Sequence, residues 1–577
     1  MTPDGRRLFF AWNVTGIHQV WRIDGPGQFP VQVTGGEDAT ELTGITPDGK
    51  HLLLSRDRKG EENPGLYLQR VEGGPLTTVQ HAAKVQTFLQ YVTDDSRYLY
   101  YKANDRKPDA FAIYRYEIAT ATRELVFEQE GLWSLEDVSK EGRLLLSRAR
   151  ANTQIEYHLF DPANRSLTPL FGQGEGEKYK AMFGPQPGEL LVVTSKFGEF
   201  ERLYRWREGK FEPLSSHPEW DVVTFQIDRP RRRILYQTNE AGFLKLWAID
   251  ARTGAKLELP TFDDALHVTL GSTTPDGRST LLGVETAYSP RIEYVYDWQT
   301  RTTKRWMEPS LPEVDTRTFV QPRLEFFPAR DGTQIPMWVR RPASCIGPCP
   351  VVVKFHGGPE SQALPHFDVT AQLFVEAGYV YVEPNVRGST GYGKQWAKAD
   401  DGPKRLQVIT DIEDCALHIK RRWGSEGKVP KVGIMGGSYG GYSTLMGMTR
   451  FAGAYDVGVS SVGISNLFTF LMNTAPYRRI LRISEYGDPE ADREALLQLS
   501  PTTFIDRVNA PLLILQGAND PRVPVGEAVQ MYDALRKRNV LVELSIFPNE
   551  GHGARRRENV AQQLGETLRF FERHLRP

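Results

Sequence analysis

Apolar and polar positions alternate in a repeating pattern over residues 1 to about 315. A polar turn is followed by a short apolar strand, as PDGRRLFF at Pro3, PDGKHLLL at Pro47, DDSRYLYY at Asp94, KEGRLLL at Lys140, QPGELLVV at Gln186, PRRRILY at Pro230 and PDGRSTLL at Pro275. The third turn positions, Gly5, Gly49, Ser96, Gly142, Gly188, Arg232 and Gly277, are separated by 44, 47, 46, 46, 44 and 45 residues. A second run follows each turn at a similar offset: VWRID, LYLQRV, IYRYEI, YHLFD, LYRWRE, LWAID and YVYDW. These runs alternate apolar with polar residues and carry aromatics, as half-buried strands do. Two strands per copy are explicit, and the pitch leaves room for four. An all-β repeat of this length predicts a β-propeller, because one four-stranded sheet cannot bury both faces alone and must stack on its neighbours. Seven copies predict seven blades. Only Met1-Thr2 precedes the first turn, so the inner strand of that blade would be borrowed from Thr316–Val320, or the chain begins late.

Near residue 315 the period changes. Apolar runs at Val351–Phe355, Tyr379–Glu383, Val432–Met435, Val457–Val462, Leu512–Gln516 and Val542–Phe547 read as strands. Between and after them, His366–Ala377, Val408–Trp423, Tyr439–Thr449, Gly526–Arg538 and Arg557–Leu575 carry helical spacing. Alternating β and α over this length predicts a doubly wound, mostly parallel sheet, with functional residues at the C-terminal ends of its strands. The expected domains are therefore a seven-bladed propeller over 1–315 and an α/β-hydrolase domain over 316–577.

The stretch KVGIMGGSYGGYSTLMGMTR, Lys431 to Arg450, contains G-x-S-x-G between a strand and a helix. That context makes it a nucleophile elbow: the turn is tight enough to require glycine near the serine, and it lifts the Ser438 hydroxyl out of the sheet. The following helix aims its first amides at the place where negative charge develops. On its own the pentapeptide could be a glycine-rich strand-to-helix turn. Its partners decide otherwise. Asp520 follows Leu512–Gln516, and His552 follows Val542–Phe547. The order Ser438, Asp520, His552 is that of α/β-hydrolases. In it His552 takes the serine proton and later gives it to the leaving group, while Asp520 orients the imidazole. Two backbone donors must face the oxyanion. The Tyr439 amide is one, and His356-Gly357-Gly358-Pro359 supplies the other, with Gly358 favoured over Gly357.

Composition narrows the partners. Lys and Arg total 71 against 72 Asp and Glu, so no basic excess favours nucleic acid or anionic lipid. No apolar run approaches the roughly 20 residues that span a bilayer. MTPDGRRLFF lacks the apolar core of a signal peptide. A cytoplasmic location is expected, with a periplasmic or secreted one left open for a processed chain. Of the three cysteines, Cys345 and Cys349 lie in a Gly/Pro-rich loop and read as ordinary thiols, with a small disulfide as the lesser alternative; Cys415 stands alone. No zinc ligand set accompanies them, and neither metal nor organic cofactor is expected.

HGGP at His356, NVRGSTGYG at Asn385, GGSYGGY at Gly436, SEYGDP at Ser484, DPRVP at Asp520 and EGHG at Glu550 together resemble the prolyl oligopeptidase family, and especially its acylaminoacyl-peptidase-like branch. A propeller ahead of a hydrolase domain is similar to that family's layout, so the resemblance covers the whole chain. It implies a serine peptidase that forms an acyl-enzyme on Ser438 and acts on short peptides, folded proteins being excluded by size. Arg522 resembles the arginine this branch places near the bound peptide carbonyl; a salt-bridging loop arginine is the alternative. The paired glutamates with which the dipeptidyl-peptidase branch holds a free amino terminus find no convincing match; WSLED at Trp133 is a poor one. The family's usual extension before the propeller has no counterpart here. Phe468, Phe470 and Leu471 either line an apolar pocket or pack a core helix. Arg555-Arg556-Arg557 reads mainly as a solvated charge run. A dipeptidyl-peptidase-like exopeptidase and a carboxylesterase with the same triad are the alternative enzymes. A binding platform with an inert hydrolase is the non-enzymatic one. Oligomeric state is left open, a homo-oligomer included.

Overall fold

The computed structural model describes residues 1–425 and 427–575. The chain divides into two compact units: Met1–Arg58, Glu62–Thr286 and Arg291–Ser310 form the first, and the chain from Leu311, with Lys59–Glu61 and Ala287–Pro290, forms the second.

The first unit is a seven-bladed propeller built on one recurrent turn. In four copies a threonine hydroxyl donates to the aspartate two residues on: Thr2 to Asp4, Thr46 to Asp48, Thr93 to Asp95 and Thr274 to Asp276, at 2.5–2.7 Å. The same carboxylate accepts the amide two residues further along. The backbone closes the turn five residues apart, as Thr46 N–H to His51 O at 2.9 Å. The carboxylate thus replaces missing ladder partners while the chain reverses. The turn also needs one left-handed residue, which is Gly49 at φ 73° and Ser96 at φ 58°. In the sixth copy Arg231 holds this conformation at φ 56°, one residue before the position inferred from sequence spacing.

From the second copy on, each turn delivers the chain into the second strand of a four-stranded antiparallel sheet, for example Ala39–Ile45, His51–Asp57, Gly65–Arg70 and Thr77–Gln80. Leu52, Leu53 and Leu54 are all completely buried, as are Leu144, Leu145 and Leu146. A strand covered on both faces by neighbouring blades loses its alternation and reads as a continuous apolar run. The fourth strands, such as Lys210–Pro213, are largely exposed.

Among the described residues the first sheet has three strands, Leu8–Trp12, Gln19–Ile23 and Val31–Gln32. The proposed donor strand at Thr316–Val320 is not one. Thr316–Thr318 is a turn of 3₁₀ helix, whose first amides are met by the Asp315 carboxylate accepting from Arg317 N–H. The first sheet packs instead by side chains, Leu8 and Ile23 against Val295 and Trp306 of the last.

The second unit is an α/β-hydrolase. Its strands are β1 Arg323–Pro328, β2 Gln334–Arg340, β3 Val351–Phe355, β4 Val380–Pro384, β5 Val432–Gly437, β6 Val457–Ser461, β7 Leu512–Gly517 and β8 Val542–Phe547. They lie in the order β1-β2-β4-β3-β5-β6-β7-β8. β1, β2 and β4 pair antiparallel, and β4 through β8 are parallel. The flanking helices are α1 Val369–Glu376, α2 Asp411–Arg422, α3 Tyr439–Met448, α4 Leu467–Asn473, α5 Pro476–Tyr486, α6 Arg493–Gln498, α7 Gly526–Lys537 and α8 Arg557–Leu575. Separate apolar clusters cover the two faces of the sheet, one around Ile434, Tyr442 and Leu445, the other around Phe374, Val459 and Phe571. No helix among the described residues is long and apolar enough to cross a membrane.

Between β2 and β3, Cys345 and Cys349 form a disulfide rather than the free thiols expected. Gly347, at φ 129°, folds the loop back and leaves the two Cα atoms 5.9 Å apart, within bridging range. Cys415 is buried on α2.

Candidate active site

Ser438 occupies the one-residue gap between β5 and α3, at φ 59° and ψ −117°. A non-glycine residue held there stores backbone strain, and the surrounding packing maintains it. A side-chain carbon on Gly440 would lie 2.0 Å from the Phe355 carbonyl oxygen, and one on Gly436 would lie 2.5 Å from Gly440 O. The glycines two positions either side of the serine therefore let α3 start directly against the end of β3. Ser438 N–H is bound to Ser461 O at 3.0 Å, and Tyr442 N–H to Ser438 O at 2.9 Å. Tyr439 is the first residue of α3, where a backbone N–H has no acceptor within the helix.

Asp520 and His552 stand past the ends of β7 and β8. Three contacts draw their loops together: Asn519 N–H to Glu550 O and Ala518 N–H to Phe547 O, both 3.0 Å, and a site at Gly517 where a side-chain carbon would lie 1.9 Å from Gly551 O. His552 Nδ1 donates to Asp520 Oδ2 at 2.7 Å, with the carboxylate side chain fully buried and the imidazole 11% exposed. Asp520 Oδ1 accepts the amides of Arg522 and Val523, at 2.8 and 3.0 Å. Both oxygens are committed, so the carboxylate fixes the ring with Nε2 as the free nitrogen. On the histidine loop, buried Glu550 accepts Arg556 N–H and Asn559 Nδ2, each at 2.8 Å.

The His356–Pro359 loop leaves β3 beside the elbow: a side-chain carbon on Gly357 would be 3.5 Å from Ser438 Cβ. His356 Nδ1 donates to Gly357 O at 2.7 Å, and Nε2 faces Ser389 Oγ at 2.9 Å. Burial pushes the imidazole pKa down. Since the peptide is planar and trans, a Gly357 carbonyl turned to His356 leaves the Gly358 N–H pointing the opposite way. Gly358 has φ 126° and precedes a cis proline.

Sequence reasoning missed an ion cluster under the elbow. Arg405, Asp400 and Glu485 are 0, 0 and 2% exposed. Arg405 Nη2 donates to Asp400 Oδ2 at 3.1 Å, to the Glu485 backbone carbonyl at 3.1 Å, and to Glu485 Oε1. The Tyr439 hydroxyl donates to the same Asp400 oxygen at 3.1 Å. Burial raises both carboxyl pKa values against the pull of the guanidinium. Asp401 beside them is pushed up to about 6 by burial and the Asp400 charge. The Asp400, Asp401 and Glu485 carboxylates place oxygens within 4.8 Å of one another, and the Arg405 charge already serves two of them. The available sequence signal was the density of charge in ADDGPKR, beside NVRGSTGYG, and in SEYGDP.

Arg522 sits in the Asp520 turn, and its carbonyl accepts the Thr474 hydroxyl at 2.9 Å. Phe468, on α4, is half-buried under the Arg493 guanidinium at 5.0 Å. Phe470 and Leu471 belong to the core, Phe470 edge-on to Tyr486 at 5.4 Å. Arg555 and Arg557 are exposed.

Fold and geometry define an α/β-hydrolase preceded by a propeller, with a serine at its elbow and a coupled Asp–His pair at the next strand ends. Residues 365–577 match the family model for the prolyl oligopeptidase family. The chain is 32% identical to dipeptidyl aminopeptidase BIII of Pseudoxanthomonas mexicana, over 97% of this chain and 84% of that protein. It is 26% identical to the acylamino-acid-releasing enzyme of Mus musculus, over 39% of this chain and 31% of that one. A solved structure from work on two prolyl endopeptidases superposes with a TM-score of 0.85 at 18% identity, covering 98% of this chain and 88% of that one. The chain belongs to the prolyl oligopeptidase family and is a serine peptidase.

Proposed function

We propose that Ser438, His552 and Asp520 are the catalytic triad, with the Tyr439 and Gly358 amides as the oxyanion donors. The observation that carries this is the 2.7 Å bond from His552 Nδ1 to an Asp520 carboxylate already held by two backbone amides. It presents Nε2 as the base. That nitrogen takes the Ser438 proton as Oγ attacks the scissile carbonyl, and the two amides receive the oxyanion. The imidazolium then protonates the leaving amine, giving an acyl-enzyme that water clears by the reverse route. Each oxyanion donor is worth about 10²–10³ in turnover.

Short peptides are the proposed substrates, with Arg522 beside the peptide carbonyl and Phe468 at the edge of an apolar pocket. Acylaminoacyl-peptide or oligopeptide hydrolysis is the preferred activity. A second activity, release of dipeptides from a free amino terminus, is favoured by the near full-length similarity to a dipeptidyl aminopeptidase. Turnover of N-acetylated against free-amino dipeptide and tripeptide anilides separates them. A strong preference for the acetylated series supports the first, dependence on a free amine supports the second, and turnover of simple esters alone removes both.

Balanced charge supports a chain that acts without nucleic acid or membrane. The Cys345–Cys349 bond supports a periplasmic or secreted location over a cytoplasmic one, because cytosolic thiols are kept reduced. Fractionation checks it.

A further inference from the structure

The buried cluster of Asp400, Arg405 and Glu485 takes no part in the proton relay, yet it touches both arms of the oxyanion site. One arm runs through the Tyr439 side chain. Its hydroxyl donates to Asp400 at 3.1 Å, and the Arg405 guanidinium lies 5.4 Å from its ring. Tyr439 is fixed at its far end by this bond and at its near end by the elbow, so its amide has little freedom to rotate. The other arm runs through Glu485, which is hydrogen-bonded to Glu360, two residues beyond Gly358. Arg405 joins the arms, pairing with Asp400 and Glu485 and lying 4.5 Å over the Tyr486 ring. Gly388 leaves room for the cluster: a side-chain carbon there would fall 2.5 Å from the Asp400 carboxylate.

Stability is a poor explanation for such a cluster. Desolvating an arginine and two carboxyls is costly, and apolar replacements of similar volume are often neutral or stabilising. What an apolar core does not supply is direction. Hydrogen bonds fix angles, and an oxyanion donor displaced by a fraction of an ångström stops recognising the tetrahedral intermediate while still admitting the planar substrate.

We propose that Asp400, Arg405 and Glu485 are positioning residues that lock the Tyr439 and Gly358 amides into one oxyanion geometry. The inference rests on the assignment of those amides as the oxyanion donors. Burial and the neighbouring Asp400 and Glu360 carboxylates push the Glu485 pKa up against the pull of Arg405. A glutamine at 485 then reproduces the arrangement, its carbonyl accepting from Arg405 and its amide donating to Glu360.

The test compares the full-length wild type with Tyr439→Phe, Glu485→Leu and Glu485→Gln. It measures kcat and KM on the best peptide anilide, inhibition by a peptide boronate that forms a tetrahedral adduct, and inhibition by a product peptide. We expect Tyr439→Phe and Glu485→Leu to lower kcat about 10- to 100-fold, a part of what deleting a donor costs. KM and product inhibition should stay within about threefold, with boronate affinity falling in step with kcat. Glu485→Gln should recover most of the turnover. Wild-type kcat in Tyr439→Phe overturns the proposal. So does a Glu485→Gln enzyme as slow as Glu485→Leu, or a fall in kcat matched by an equal loss of product binding. Should Glu485→Leu fail to fold, Tyr439→Phe, which removes one hydroxyl, decides alone. A wild type that turns over no peptide overturns the peptidase assignment, and the inference falls with it; an active wild type with unaffected variants overturns the inference alone.

Discussion

The two units of this chain solve the problem of a buried polar backbone in opposite ways. The propeller repeats one cheap device: a threonine, an aspartate and a left-handed residue close each of several turns, and Asp48, Asp95 and Asp276 do the same work in different blades. The hydrolase uses each of its devices once. Gly440, Asp520 and Asp368 have no second copy. In a repeat, the loss of one turn is a local event whose cost neighbouring blades limit. In the hydrolase, single positions hold the fold or the chemistry. Glycine shows the difference most sharply. Gly142, in a propeller turn, has open space where a side chain would go, whereas Gly440 has the Phe355 carbonyl 2.0 Å away.

That contrast gives graded predictions. The largest effect is expected at Gly440. Gly440→Ala must push α3 off β3, and the hydrolase unit should fail to fold, read as loss of its melting transition and of all activity. Gly142→Ala, strained only by its φ of 81°, should cost about 1 kcal/mol with turnover unchanged. Equal outcomes at the two glycines would erase the comparison.

Next is Asp520→Asn, expected to drop kcat about 10⁴-fold with little change in melting temperature, because it releases the wrong imidazole tautomer while keeping the shape. Asp368→Asn should do the reverse. Its carboxylate caps α1 and pairs with Lys354 at 3.0 Å, in a buried group that also includes Glu383 and Arg340. Removing that charge leaves Lys354 short of a partner, at a cost of about 3–5 kcal/mol by urea unfolding. The pH dependence has a definite sign. Burial would raise the Asp368 pKa, but the Lys354 ammonium holds it down at about 2. Its contribution is complete above the ordinary carboxylate pKa and is lost as pH falls towards 2, so the gap between wild type and variant should close on acidification. The smallest effect is expected at Thr93→Ala, about 0.5 kcal/mol, with faster amide exchange confined to residues 93–98.

Much of this organisation was legible because it is local. Leu52 to Leu54 could be read as an apolar strand after a polar turn, and Ser438, Asp520 and His552 each follow an apolar run that ends where the sheet ends. What could not be read depends on contacts between distant segments. Asp400, Arg405 and Glu485 lie in charged stretches that look solvated, and nothing local shows an arginine drawing two acids into a core. The left-handed turn residue of the sixth blade was misplaced by one, because three consecutive arginines give no glycine to mark it. The Cys345–Cys349 bond depended on the loop folding back at Gly347. Helix α5 was overlooked although Tyr477, Ile480, Leu481 and Ile483 recur at helical spacing, because three arginines and a low overall apolar content make Pro476 to Tyr486 look like a solvated connection.

The central claim is that a hydroxyl from one strand end is activated by an imidazole and a carboxylate from two others. The most direct test exposes the full-length chain to a fluorophosphonate and maps the adduct by mass spectrometry, in wild type and in His552→Ala. The account predicts a single adduct on Ser438, formed at least 10³-fold more slowly in the variant. An adduct elsewhere, or labelling of Ser438 at an undiminished rate without His552, would contradict it.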